Sequence, residues 1–287
     1  MAFDAPNFLH GLAACFGFPV AENPTQAMIE PGFRAMGLSW RYLTVEVRPE
    51  DLGDAVRGAR AMGFKGFNCT IPHKVEVIRY LDELSPAAEK IGAVNCVVIR
   101  NGRLIGENTD GKGFLQSVWS LRPVEGTKVV ILGAGGAARA IAVELALAGA
   151  AKVTIVNRNE ERGRALETRL KEVTKTETEF VPWNGIYEPD PATDLLVNST
   201  SIGLYPDVEA HVPVSLEPLG PKAIVCDVIP NPPKTRLIRD ARALGLRTLD
   251  GLGMLVNQGV IGIELWTGGK TPDSCIMRAS VESIFVA

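Results

Sequence analysis

The sequence predicts an α/β fold in two domains. Apolar runs alternate with helical patterns along the whole chain, which is how strands and crossover helices follow one another in a largely parallel sheet. The 287 residues exceed one typical core and suggest two. A second β-α-β series restarts at Lys128, where an apolar strand runs directly into a glycine-rich loop and a helix.

In the first third, residues 12–16 form a short apolar run that ends in glycine and reads as a strand. Residues 26–36 repeat apolar side chains at helical spacing and stop at Gly37. Residues 42–47 alternate like a strand with one wet face. Residues 51–62 are helical, with Gly63 at their end, and 66–70 form a strand. Strands 94–100 and 103–107 flank Asn101-Gly102, the pair that a tight hairpin favours. Strand 128–132 leads into a helix that ends at Ala148, then Gly149 turns the chain into strand 152–157. Residues 195–198, 223–227 and 247–249 are further strands, and the prolines of 187–193 and 205–221 mark loops. Residues 251–266 and 273–285 read as two closing helices, separated at Thr271-Pro272. The N-terminal stretch 1–20 lacks the charged start of a signal peptide and reads as a strand entering a turn.

Composition narrows the function classes. A net charge of −3 gives neither the basic surface of a nucleic-acid binder nor an acidic tail. No apolar run approaches the roughly 20 residues that a bilayer-crossing helix needs. Cys15, Cys69, Cys96, Cys226 and Cys275 are scattered without a C-x-x-C pair, and His10, His73 and His211 lack ligand spacing. The expectation is buried, reduced thiols in a cytoplasmic protein with no metal site.

Gly133-Ala134-Gly135-Gly136-Ala137-Ala138 fits G-x-G-x-x-A between strand and helix. The first glycine allows a tight turn, the second lets backbone approach a pyrophosphate, and the small last residue lets helix pack on strand. Free N–H groups at the helix start then hold the phosphate charge. The following strand ends in Asn157-Arg158-Asn159, with Arg162 close behind, where NAD-binding chains usually carry an acidic residue. A guanidinium there can grip a 2′-phosphate through two parallel bonds, which argues for NADP. Glu160 lies close enough to a ribose to leave NAD open.

Three polar stretches fall at strand ends in the first domain, where open α/β sheets bind ligands. They present Lys74, Asn95 and Asp110. A lysine with a carboxylate suits alcohol oxidation, because one group must take the hydroxyl proton as hydride leaves and return it in reverse. Taken singly, Lys74 also reads as the start of a solvated helix and Asp110 as an N-cap, and spacing alone does not choose.

The same stretches resemble the shikimate dehydrogenase family over nearly the entire chain. The family's G-x-N-[VC]-T-x-P-x-K corresponds to Gly66 through Lys74, its G-A-x-N-T to Gly92 through Cys96, and its N-T-D-G-x-G to Asn108 through Gly113. GAGGAA-R-A, N-R-T, V-N-[AST]-T-[ST]-x-G and D-G-x-x-M-L-x-x-Q fall, in order, at Gly133, Asn157, Val197 and Asp250. The resemblance implies that Lys74 and Asp110 form the catalytic pair and that Asn95 and Gln258 hold ring hydroxyls, with Thr70 at the pocket edge. It implies that Asn198, Thr200, Ser201, Gly251 and Met254 lie at the cofactor, beside Gly133, Ala134, Gly135, Gly136, Ala137, Asn157, Arg158 and Arg162. It further implies an N-terminal α/β substrate domain (residues 1–110 and 251–287), completed by the C-terminal helices, and a Rossmann NADP-binding domain (111–250).

The implied reaction is reversible hydride transfer between a nicotinamide and a ring alcohol or ketone, shikimate with 3-dehydroshikimate. The implied partner is a small polyhydroxylated ring, with no nucleic acid or membrane, in a monomer or homodimer. A non-catalytic dinucleotide-binding regulator would need the glycine loop but not Lys74 together with Asp110.

The match fails in two stretches. The family's G-x-P-I-x-H-S-x-S-P binds the substrate carboxylate through its two serines. Here the stretch runs from Gly17 to Gln26, with Asn23 and Thr25 at the serine positions and Glu22 at the histidine. In D-x-x-Y-x-P-x-x-T, Pro230 stands at the tyrosine that faces substrate. Asn23 and Thr25 can still bind the carboxylate as conservative exchanges. Alternatively the substrate is quinate, an aminated analogue or an uncharged cyclitol.

Overall fold

The computed structural model describes residues 8–285. Of the stretch read as lacking a signal-peptide start, residues 1–7 lie outside that range, as do 286–287 of the C-terminal stretch.

The first half builds β1 (Gly11–Gly17), α1 (Thr25–Ala35), β2 (Trp40–Glu46), α2 (Leu52–Ala61), β3 (Gly66–Cys69), α3 (His73–Glu76), β4 (Glu83–Leu84), α4 (Pro86–Ile91), β5 (Cys96–Arg100), β6 (Arg103–Glu107) and α5 (Asp110–Trp119). Its sheet has the order β2-β1-β3-β5-β6-β4. Strands β2, β1 and β3 run parallel, as the alternating pattern predicts. The sheet then turns mixed, since β5 is antiparallel to both β3 and β6. A hairpin joins β5 and β6: Asn101 and Gly102 both have positive φ, 53° and 75°, as a tight two-residue turn requires. Element ends differ from the expected ones by one or two residues, and residues 49–51 form a 3₁₀ turn ahead of α2.

The second half comprises β7 (Lys128–Leu132), α6 (Gly136–Leu147), β8 (Lys152–Asn157), α7 (Glu160–Val173), β9 (Glu177–Pro182), β10 (Leu195–Asn198), β11 (Ile224–Asp227), α8 (Arg236–Ala243), β12 (Arg247–Leu249), α9 (Gly251–Thr267) and α10 (Ser274–Glu282). The sheet order is β12-β11-β10-β7-β8-β9, and every pairing is parallel. This is the doubly wound dinucleotide-binding topology. Its strand order reverses between β7 and β10, and ligands bind at the carboxyl ends of the strands there. Helix α7 and strand β9 were not legible in the sequence. Helix α7 buries only Gly163, Leu166 and Leu170, and β9 buries none of its residues, so their apolar periodicity is faint.

Apolar clusters cover both faces of each sheet. Phe33 and Tyr42 anchor one side of the first sheet and Phe67 the other, all fully buried. Each such side chain contributes about 1.5–3 kcal/mol through its removal from water. Helix α9 leaves the second sheet and packs on α5 and α1 of the first half and on α10. Glycine permits this approach: a Cβ on Gly113 would lie 2.8 Å from the Gln258 backbone nitrogen. Asn257 then donates through Nδ2 to Gly113 O at 3.1 Å and to Ser117 Oγ at 3.0 Å. Helix α9 is thereby bound to the helix that opens with Asp110.

Candidate active site

Lys74 sits on α3, a single turn after Thr70. His73 Nε2 lies 2.7 Å from the Val47 carbonyl and is buried, which fixes the turn against the end of β2. The Lys74 carbonyl accepts from Val94 N at 2.7 Å, tying the turn to the approach of β5. Asp110 is the first residue of α5, where the helix dipole favours a carboxylate. The two side chains meet: Lys74 Nζ lies 2.5 Å from Asp110 Oδ2. Asp110 Oδ1 accepts from Asn95 Nδ2 at 2.8 Å, so both of its oxygens are held.

Asn95 organises the centre. Its Oδ1 accepts from Thr109 N at 2.7 Å, and its Nδ2 also reaches Thr109 Oγ1 at 2.9 Å. Gln258 Oε1, from α9, stands 3.5 Å from both Asn95 Nδ2 and Thr109 Oγ1. Beneath them, Asn68 Nδ2 donates to the Asn95 carbonyl at 3.0 Å, and Tyr42 donates its hydroxyl to Asn68 Oδ1 at 2.7 Å. Sequence reading did not single out Asn68, Thr109 or Tyr42. Asn68 had a signal, since an amide inside an apolar buried strand must find partners. Thr70 is partly exposed at the rim, and its methyl packs near Gly17.

The cysteines do not join this chemistry. Cys15, Cys69, Cys96 and Cys226 are buried, as expected, but Cys275 is exposed. Burial pushes the Cys15 thiol up to about 12, although the Lys74 charge opposes the shift, and Cys69 rises for the same reason. Both are protonated at neutral pH.

The glycine loop faces the same space. Gly133 has φ 109°, and a Cβ there would meet the Ser199 carbonyl at 3.2 Å. Gly135 caps α6 without any side-chain bond, and a Cβ there would meet nothing within 4 Å. The N-terminus of this 12-residue helix thus carries no side-chain cap and has free space beside it, which suits a pyrophosphate. A Cβ on Gly136 would touch Lys74 Cδ at 3.2 Å, so the phosphate loop and the lysine are neighbours. Ala134 is buried and Ala137 partly so, leaving backbone as the contact surface.

Along the β8–α7 turn, Asn157 Nδ2 donates to the Asn159 carbonyl at 2.7 Å, and Asn159 Oδ1 caps α7 by accepting from Arg162 N at 2.9 Å. Arg158 and Arg162 are exposed. Neither forms an ion pair among the described residues. Glu160, which could have served a ribose, is paired with Arg164 at 2.7 Å. Arg139 is half-buried nearby; burial and then the charges of Arg162 and Arg169 pull its pKa down. Together these residues fit the adenosine 2′-phosphate end of NADP.

After β10, Asn198 is fully buried. It was expected to line the cofactor. Its Nδ2 donates to Asp227 Oδ1 at 3.1 Å, and its Oδ1 accepts from Thr200 Oγ1 at 2.7 Å, so it shapes the loop that presents Thr200 and exposed Ser201. Ser199 Oγ in that loop is buried without a hydrogen-bond partner. Gly251 lets α9 start against the Ile229 carbonyl, 2.4 Å from where a Cβ would stand, and Met254 follows one turn on. Asp227 accepts from Thr235, Asn198 and Ile229, yet burial pushes its pKa up to about 6.

The far end of the pocket differs in character. Asn23 Oδ1 accepts from Thr25 N at 3.0 Å, and its Nδ2 points at Cys15 Sγ, 3.9 Å away. Thr25 is buried. Asn23 also lines a cavity of about 500 Å³ with Glu22, Gln26, Thr44 and Asn231. This cavity is lined by none of Thr25, Thr70, Lys74, Asn95, Asp110 and Gln258.

Three family models match the chain: a shikimate dehydrogenase substrate-binding domain over residues 15–97, shikimate/quinate 5-dehydrogenase over 118–218, and a shikimate 5′-dehydrogenase C-terminal domain over 251–282. A shikimate dehydrogenase (NADP⁺) of Desulforamulus reducens is 42% identical over 90% of each chain. The crystal structure of 5-ketofructose reductase from Gluconobacter sp. strain CHM43 is 52% identical, with TM-score 0.91 over 97% of this chain and 100% of that one. The shikimate dehydrogenase of Thermus thermophilus, solved with NADP(H) and shikimate, is 34% identical, with TM-score 0.84 over 95% and 99%.

Proposed function

This chain belongs to the shikimate dehydrogenase family, and on that premise we propose that Lys74 and Asp110 carry an NADP-dependent, reversible exchange of hydride between the nicotinamide and a secondary alcohol of a polyhydroxylated substrate. The chain is an oxidoreductase of the shikimate dehydrogenase type. The observation that carries the site assignment is the 2.5 Å Lys74–Asp110 pair, on a lysine that packs beside the glycine loop.

NADP, when bound, supplies the hydride to a carbonyl carbon or takes it from the alcohol. Gly133, Ala134, Gly135, Gly136 and Ala137 would hold its pyrophosphate, and Asn157, Arg158 and Arg162 its 2′-phosphate. Thr200, Ser201, Gly251 and Met254 would bound the nicotinamide end. In reduction, Lys74 Nζ gives its proton to the oxygen as the carbon receives hydride, and in oxidation it takes that proton back. Asp110 has both oxygens occupied by Lys74 and Asn95, so its role is to aim the ammonium, whose remaining N–H groups would serve the substrate. Asn95, Gln258 and Thr70 hold hydroxyls, with Asn23 and Thr25 at the far end. Reacting atoms must come within roughly 3–3.5 Å, which explains a site shared by both sheets. We assign residues 1–110 and 251–287 to substrate binding and 111–250 to the cofactor, with α5 starting at the boundary.

The curated relatives make 3-dehydroshikimate with shikimate the first substrate pair to test. The ketofructose reductase favours a second reading, an uncharged ketosugar. No helix among the described residues is long and apolar enough to cross a membrane. We place the protein in the cytoplasm, as a monomer or homodimer acting on a small molecule. The test follows nicotinamide absorbance with NADPH and NADH against 3-dehydroshikimate, 5-ketofructose, a quinate-derived ketone and a cyclitol ketone. Lys74→Met should lower kcat about 10²–10⁴-fold while the protein stays folded. An unchanged kcat would remove Lys74 from the chemistry.

A further inference from the structure

Ser199 Oγ is the one buried side-chain polar atom that finds no hydrogen-bond partner among the described residues. Burying a hydroxyl unpaired is unfavourable, so such an atom calls for a physical reason. The loop around it does not use it. Asn198 Oδ1 accepts from Thr200 N at 3.1 Å and from Thr200 Oγ1 at 2.7 Å. Thr200 Oγ1 in turn accepts from Ile202 N at 3.1 Å, and the Ser201 carbonyl accepts from Leu204 N at 3.1 Å. These bonds close the turn and leave the Ser199 side chain out.

Its place in the fold sets it apart. Ser199 N donates to the Leu132 carbonyl at 2.9 Å, which carries the pairing of β10 with β7 one residue past Asn198. The strand order reverses between these two strands, and a dinucleotide lies across the crevice at such a point. The glycine turn leaves β7 at the same level. A Cβ on Gly133 would meet the Ser199 carbonyl oxygen and Thr200 Cγ2, each at 3.2 Å, so the two loops touch. The turn that carries Arg158 and Arg162 follows β8, on the opposite side of β7 from β10. With the 2′-phosphate at that turn, the other half of the dinucleotide falls on the Ser199 side. Ser199 as a whole is part-exposed, so its hydroxyl lies close beneath the surface and reorients by rotation about one bond, χ1.

We propose that Ser199 is a further cofactor-binding residue, whose hydroxyl takes its hydrogen-bond partner from an oxygen in the nicotinamide half of the dinucleotide, its phosphate or its ribose. Asn198 and Thr200 hold the loop in shape, and Ser199 makes the contact. The inference rests on the NADP reading above and deepens it by adding a residue to that site. No proton or hydride passes through Ser199, so its effect is on binding.

Equilibrium binding reads this apart from turnover. With purified full-length protein, Ser199→Ala should raise Kd for NADPH about 10-fold in a fluorescence titration, and Kd for NADH by the same factor, because both carry the nicotinamide half. Adenosine 2′,5′-bisphosphate lacks that half, and its Kd should stay as it is. KM for NADPH should rise with Kd while kcat changes less than about twofold, as happens when ground and transition states lose the same contact. The cofactor-free variant should melt no lower than the natural protein, since the substitution removes a hydroxyl that the fold leaves unpaired. A lower melting temperature would give the hydroxyl a partner inside the fold and overturn the proposal. An unchanged Kd for NADPH, or an equal loss with the bisphosphate, would overturn it too and leave the NADP reading standing. Failure of the natural protein to bind NADPH would overturn both.

Discussion

Asp227 shows how one buried residue couples strands to the cofactor loop and to pH. It sits at the end of β11 and accepts hydrogen bonds from Thr235, Asn198 and Ile229, but burial outweighs them and raises its pKa to about 6. The fold therefore holds the Asp227 proton more tightly than the unfolded chain, whose aspartates titrate near 3.9. Its contribution to stability is fully present below about pH 4 and is lost as pH rises through about 6. A shift of about two units corresponds to at most roughly 3 kcal/mol. Thermal melts from pH 4 to 8 should show this component in the natural protein and lose it in Asp227→Asn. A variant with the same pH slope would assign the slope elsewhere. At the cofactor, Arg158→Ala should raise KM for NADPH roughly 10–100-fold and leave KM for NADH nearly unchanged, because only the former carries the phosphate. Equal losses with both would take Arg158 away from the 2′-phosphate.

At the scale of elements, the crossing of α5 and α9 decides the site. Gly113 has no room for a side chain against the Gln258 backbone, and a Cβ would sit 2.8 Å from its nitrogen. Gly113→Ala must push the helices apart, costing about 1–3 kcal/mol as overpacking does. Since Asp110 and Gln258 ride on those two helices, kcat/KM should fall with the melting temperature. Normal activity in a destabilised Gly113→Ala protein would show that the crossing sets stability alone. The helix starts are more local. Asn159, Thr235, Asp250 and Asp273 each accept from a backbone N–H in the first turn that follows, and each is the short polar residue that such a cap demands. Helix α8 has such a start signal and was still not singled out, because it is short and follows a run of prolines.

In the whole molecule, side-chain hydrogen bonds tie the two halves together. Arg169 on α7 makes two of them: its guanidinium donates to the carbonyls of Glu89 and Lys90 at the end of α4. These bonds satisfy carbonyls that the helix itself leaves free. Arg169→Ala should leave the fold intact and loosen the approach of the two halves. KM for substrate should rise several-fold with a smaller change in kcat, and small-angle scattering should show a larger radius of gyration. An unchanged radius and KM would make Arg169 a surface contact only. Near it, Arg139, Arg162 and Arg169 gather positive charge at the seam, which an NADP phosphate would relieve.

The sequence by itself determined most strands and helices in their order, though not α7, β9 or α8, together with the glycine loop, the hairpin at Asn101-Gly102 and the identities of Lys74, Asn95 and Asp110. Each of these follows from local chemistry: side-chain periodicity, left-handed backbone at glycine, or short motifs in fixed order. Tertiary structure alone decided that Lys74 and Asp110 touch, that Asn198 turns inward, and that Asn68, Thr109 and Tyr42 support the centre. It also decided the mixed character of the first sheet and the inward turn of the Asn23 amide. Those outcomes depend on contacts between residues far apart in the chain, such as Asn95 with Gln258, 163 positions away. Which partner a buried polar group finds is set by the packing of whole elements, and no local pattern records it.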